Sequence, residues 1–107
     1  MKRSKVKFAV IGCGHMGAFA EDRAADWEVA PIYLPLSHSA AIYAVPEAEL
    51  VAVCDVRLEA AERAAERYAP ARAYHDVEQM LTKERPEVVT IATRTRGRTT
   101  LIRRCIA

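Results

Sequence analysis

The chain has 107 residues, enough for one domain with a real core and too few for two. It is 51% apolar and 28% charged, an ordinary globular balance, and no apolar run is long enough to cross a bilayer. The net charge of +2 is unevenly spread, with Lys2, Arg3, Lys5 and Lys7 at the start and Arg94, Arg96, Arg98, Arg103 and Arg104 at the end. No aromatic residues interleave with the terminal arginines and no nucleic-acid signature accompanies them, so a solvated or anion-facing surface is expected and no nucleic-acid partner. The basic-then-apolar opening "MKRSKVKFAVIGCG" is not read as a signal peptide, because its apolar run is short and broken by glycine. Cys13, Cys54 and Cys105 are odd in number and lack metal-ligand spacing, which predicts reduced thiols in a cytoplasmic protein.

In chain order, "KVKFAVI" (5–11) reads as a buried strand closed by Gly12. A helix is predicted from Gly14 through "HMGAFAEDRAAD". An irregular excursion over 26–37, "WEVAPIYLPLS", follows, a surface loop by default that Trp27 and Tyr33 pack down or offer to a ligand. Ser37 can cap a short helix, "HSAAIYA", ended by Pro46. "ELVAVCD" (49–55) is a second strand of the continuous-apolar kind that suits a sheet covered on both faces.

"RLEAAERAAERYA" (57–69) is the clearest helix, with Leu58, Ala61, Ala65 and Tyr68 on one face and Glu59 four residues before Arg63. "ARAYH" is a short third strand, and Asp76 with Gln79 makes a capping-box-like start for "VEQMLTKE". After Pro86, "EVVTIAT" (87–93) reads as the fourth strand, and "TTLIRRCIA" as a last helix with Leu101, Ile102, Cys105 and Ile106 apolar. Strands alternating with helices predict an α/β parallel sheet, and right-handed crossovers give the strand order 3-2-1-4, the first half of a doubly wound, Rossmann-like fold.

Within that frame "GCGHMG" has the context a dinucleotide loop needs, after a strand and opening a helix. Gly12 would allow the tight turn, Gly14 the close approach of backbone to a pyrophosphate, and Gly17 the packing of helix on strand. Free N–H groups around His15 and Met16 would face the anion, helped by the positive end of the helix dipole. Asp55 ends the second strand, where its carboxylate would accept ribose hydroxyls and repel a 2′-phosphate, favouring NAD over NADP. A helix N-cap is the other reading of Asp55. Arg57 either stays solvated, stacks on adenine or pairs with a 2′-phosphate. Gly17 and Asp55 stand nearly twice as far apart as the roughly 20 residues usual for this pair, which places an insertion in the first crossover.

The segments "FAVIGCGHMG", "AELVAVCD", "AAERAAERYAPARAYHDVEQML" and "PEVVTIAT" together resemble the N-terminal domain of the glucose–fructose oxidoreductase / inositol dehydrogenase family (Gfo/Idh/MocA), over nearly the whole chain. "PLSHSAAIYAVPEAELVAVCD" and "ATRTRGRTTLIRRCIA" look like a sub-branch with a longer first crossover. The resemblance implies NAD or NADP on this domain and hydride transfer to or from a sugar, cyclitol or related polyol. By matching position it implies Gly12, Gly14, His15, Met16 and Gly17 as the dinucleotide loop, and Asp55, Val56 and Arg57 around the adenosine ribose. Ala92 and Thr93 would lie near the nicotinamide half.

The family's Pro after that Ala-Thr is Arg94 here, and its histidine a few residues on gives way to "RTRGRTT". Arg94, Arg96 and Arg98 would stand at the carboxyl edge of the sheet, either solvated or facing a phosphate or anionic substrate. The sequence ends at Ala107, before the Glu-Lys-Pro motif and second domain that the resemblance implies. No catalytic constellation is visible, and His15, His38 and His75 do not supply one. The expectation is a dinucleotide-binding domain over 1–107 that binds cofactor without catalysis. With the fourth strand an apolar edge, self-association through that edge or the terminal helix is also expected. A non-catalytic Rossmann-like assembly module is the first alternative, and an S-adenosylmethionine-binding domain the second.

Overall fold

The apolar run Val6–Ile11 forms β1, the strand on which the rest of the sheet is built. In this computed structural model, which describes residues 5–19, 37–93 and 97–106, β2 (Ala48–Cys54), β3 (Arg72–Tyr74) and β4 (Val88–Ile91) complete a sheet of order β3-β2-β1-β4. The three pairings are all parallel, as expected of the α/β pattern. Register aligns the carboxyl ends of the strands. Ile11 pairs with Cys54 on one side and Ile91 on the other, and Cys54 pairs with Tyr74.

Alternation along the strands sends side chains to two cores. Val10 and Val53 join one face, where α1 (His38–Tyr43) and α2 (Leu58–Arg67) contribute Ile42, Ala60, Ala61, Ala64 and Tyr68. Ala9, Ile11, Ala52 and Cys54 point to the other, covered by Met80 of α3 (Val77–Glu84) and by Leu101 and Cys105 of α4 (Arg98–Ile106). Ala60, Ala61 and Ala64 of α2 and its C-cap Tyr68 are buried, and Ala65 packs against them partly buried; of the expected face only Leu58, 40% exposed, lies outside the core.

Two caps form as the sequence predicts. The Ser37 hydroxyl accepts from the Ala40 amide at 3.2 Å, and Asp76 Oδ1 from Glu78 and Gln79 amides at 2.9 and 3.4 Å. α3 ends on Arg85 in the left-handed region (φ 48°), immediately before Pro86. β4 is shorter than the expected 87–93. The Ala92 amide still donates to the Ile11 carbonyl at 2.8 Å, but the chain then leaves the sheet. The strand stands at the sheet edge with Val88 exposed, and α4 buries none of its residues fully. The 26–37 excursion short of Ser37, the first helix beyond Phe19, and the basic residues Lys2, Arg3, Arg94 and Arg96 lie outside the described residues.

Candidate functional site

Because Ile11, Cys54 and Ile91 share one row, the residues that follow them meet at one edge of the sheet. These are Gly12, Asp55 and Ala92, and the Gly12 amide donates to the Cys54 carbonyl at 2.7 Å. Gly12 has φ +104°, and a Cβ there would lie 2.8 Å from the carbonyl carbon and oxygen of Ala92. Only glycine satisfies both demands. Gly17 folds back over the same residue, where an added Cβ would fall 1.6 Å from the Gly12 carbonyl oxygen. Gly14 is the opposite case: it is exposed, and a Cβ would meet nothing within 4 Å.

The helix expected from Gly14 begins as a π-helical turn, His15–Phe19. The Gly14 carbonyl accepts from both the Ala18 amide (3.1 Å) and the Phe19 amide (3.3 Å), and this shared acceptor widens the turn beyond an α-helix. The buried Tyr68 hydroxyl donates to the Ala18 carbonyl, tying the turn to the end of α2. His15 and Met16 contribute backbone to this turn. The first amides of such a turn have no acceptor within it.

Asp55 is half-buried, and both its carboxylate oxygens already hold backbone donors. Oδ2 accepts from the Cys13 amide and Oδ1 from the Arg57 amide, each at 2.9 Å. The N-cap of α2 is Arg57, with no side-chain cap bond, so Asp55 does not cap that helix; its tie runs across to the glycine loop. Val56 and Arg57 are exposed beside it, Val56 at 90%. Ala92 and Thr93 are half-buried at the end of β4, and the Thr93 carbonyl accepts from the Arg98 guanidinium. The Cys13 amide and the anchoring Tyr68 hydroxyl were not legible in the sequence, since nothing in residue type marks either partner.

Burial, reinforced by the charge of Asp55 and by Cys54, pushes the Cys13 thiol up to about 12. Burial, with Asp55 and Asp76, pushes Cys54 up to about 11. Neither is a nucleophile at neutral pH. Among the described residues no group of His, Cys, Asp and Glu could hold a metal ion, and no helix is long and apolar enough to cross a membrane. The residues present do fit a dinucleotide. A Cβ at Gly14 would meet nothing within 4 Å among the described residues, and a carboxylate stands at the end of the neighbouring strand.

Residues 6–107 match the family described as an oxidoreductase family with an NAD-binding Rossmann fold, Gfo/Idh/MocA. No curated protein sequence matches the chain. Among solved structures, a Sinorhizobium meliloti protein assigned as a myo-inositol dehydrogenase is 25% identical with TM-score 0.68, over 94% of this chain and 25% of its own. A scyllo-inositol dehydrogenase from Lactobacillus casei, solved with NAD(H) and scyllo-inositol, is 15% identical with TM-score 0.68, over 96% of this chain and 25% of its own. The WlbA dehydrogenase from Bordetella pertussis, solved with NADH and UDP-GlcNAcA, is 24% identical with TM-score 0.59, over 87% of this chain and 22% of its own. The chain thus spans about a quarter of the length of these relatives. With sheet order, glycine loop and family match in agreement, the chain belongs to the Gfo/Idh/MocA oxidoreductase family, as its NAD-binding Rossmann domain.

Proposed function

We propose that the carboxyl edge of this sheet binds NAD and that the protein is an oxidoreductase acting on a sugar, cyclitol or related polyol. The backbone of Gly12, Gly14, His15, Met16 and Gly17 surrounds the pyrophosphate, Asp55 accepts from the adenosine ribose hydroxyls, and Val56 and Arg57 flank that ribose. Ala92 and Thr93 lie toward the nicotinamide half. The observation that carries this reading is the open space over Gly14, in a loop whose other two glycines are sterically committed. Each Asp55 oxygen holds one amide, which leaves a lone pair on each for a hydroxyl. The same negative charge disfavours the 2′-phosphate of NADP. Bound NAD supplies hydride chemistry; this chain's own residues bind and orient it.

Residues 1–107 form one dinucleotide-binding domain that does not catalyse alone. The Cys13 and Cys54 thiols, buried and pushed high, offer no nucleophile beside the loop. The chain works in the cytoplasm, with reduced cysteines, and self-associates through the β4 edge or α4, where Val88, Ile102 and Ile106 are exposed. The testing experiment is parallel calorimetric titration with NAD, NADP and S-adenosylmethionine. NAD binding in preference to the other two is expected. Preference for S-adenosylmethionine, or no dinucleotide binding by the folded chain, would overturn the assignment.

A further inference from the structure

Asp55 makes contacts within the chain that reading ribose does not require. Beyond the Gly12 amide, which donates to Cys54, the backbone ladder between β1 and β2 ends. Cys13, the next residue, is 2% exposed, so an unpaired N–H there would be costly. Gly12 has turned the chain at φ +104°, and the acceptor that receives the Cys13 amide is the Asp55 side chain at 2.9 Å. The ladder is thus extended one step by a carboxylate in place of a carbonyl.

The other end of that carboxylate is fixed as well. Oδ1 accepts from the Arg57 amide, and the Asp55 amide donates to the Tyr74 carbonyl at 3.0 Å. The side chain is therefore oriented by the chain's own backbone. We propose that Asp55 is a positioning residue for the glycine loop: by holding the Cys13 amide it sets the path of Gly12 to Gly17 for the pyrophosphate, beyond any contact with ribose. This rests on the dinucleotide reading of the site for its functional half, while the brace itself is made by groups of this chain alone. Replacing Asp55 to change cofactor preference would then loosen the loop for every dinucleotide.

Two measurements test it. Amide hydrogen exchange on the ligand-free chain compares the wild type with Asp55→Ala and Asp55→Asn, using the Met80 amide in α3 as control. Calorimetry then compares NAD with an analogue whose adenosine ribose lacks both hydroxyls, under conditions where each variant is folded. A protected Cys13 amide is expected in the wild type, with exchange about tenfold faster in Asp55→Ala and Met80 unchanged. Affinity for the dideoxy analogue should also fall about tenfold in Asp55→Ala. Asp55→Asn, with one acceptor oxygen for two N–H groups, should fall between.

An Asp55→Ala chain that loses affinity for NAD but binds the analogue as the wild type does would overturn the proposal, because Asp55 would then act on ribose alone. An unprotected Cys13 amide in the wild type would overturn it too, and that measurement decides even if a variant does not fold. A wild type that binds neither dinucleotide defeats the cofactor reading instead, and exchange at Cys13 still judges the brace.

Discussion

Gly17 packs on Gly12 so closely that no side chain fits between them: a Cβ at position 17 would lie 1.6 Å from the Gly12 carbonyl oxygen. Backbone, not a flexible side chain, occupies that space, so the loop itself would have to move. Gly17→Ala should destabilise the chain by roughly 3 kcal/mol or prevent folding, read by denaturant unfolding. Gly14→Ala meets open space and should change stability by less than about 0.5 kcal/mol while weakening NAD binding. Equal effects of the two substitutions on stability would contradict this division of duties.

The face of the sheet beneath α3 depends on Met80, which has no exposed surface. Met80→Ala should cost about 2 to 5 kcal/mol through the cavity it leaves. Asp76→Ala, which strips the acceptor from the Glu78 and Gln79 amides, should cost about 1 kcal/mol. Urea midpoints of the two variants should differ in that order.

The three cysteines should separate chemically. Cys105 is half-buried on α4, whereas Cys13 and Cys54 are buried and pushed up to about 12 and about 11. Iodoacetamide at pH 8 should modify Cys105 first and reach the other two only as the chain unfolds, which mass spectrometry of timed samples would read. The sign of the pH effect follows from the raised values. The unfolded thiols ionise from about 8.5 upward while the folded ones do not. Stability from this source is complete below that value and drains away as the pH climbs toward 11 and 12. A chain equally stable at pH 8 and pH 11 would contradict the burial of both thiols.

Arg85 ends α3 with φ 48°, a conformation that crowds any Cβ. Arg85→Gly should relieve that crowding and raise stability by roughly 0.5 kcal/mol, net of the entropy glycine returns to the unfolded chain. A thermal melt is sufficient to see it.

The order of the sheet was legible because three apolar runs and the short "ARAYH" alternate with helical spacing, and parallel connections leave little choice once that alternation is seen. Ser37 and Asp76 were legible as caps because capping is a local bond between a short polar side chain and amides a few residues on. The place of Leu58 on α2 was not. Ala61, Ala65 and Tyr68 of the expected face meet the core, joined by Ala60 and Ala64, while Leu58 at the first turn stays 40% exposed. The π-turn depends on the Gly14 carbonyl taking two donors, and the Asp55 brace on a side-chain orientation set by contacts 42 positions apart. Such contacts arise from the assembled sheet and leave no periodic trace in the chain.

The floor of the glycine loop is the carbonyl of Ala92, one residue past a four-residue edge strand held on one side only by the described residues. Edge strands fray first, and fraying here removes the surface on which Gly12 turns. Apparent cofactor affinity then equals intrinsic affinity multiplied by the fraction of time β4 is docked. A strand paired to the outer side of β4 would then be expected to tighten NAD binding without touching the nucleotide, an outcome that titration with and without such a partner would read.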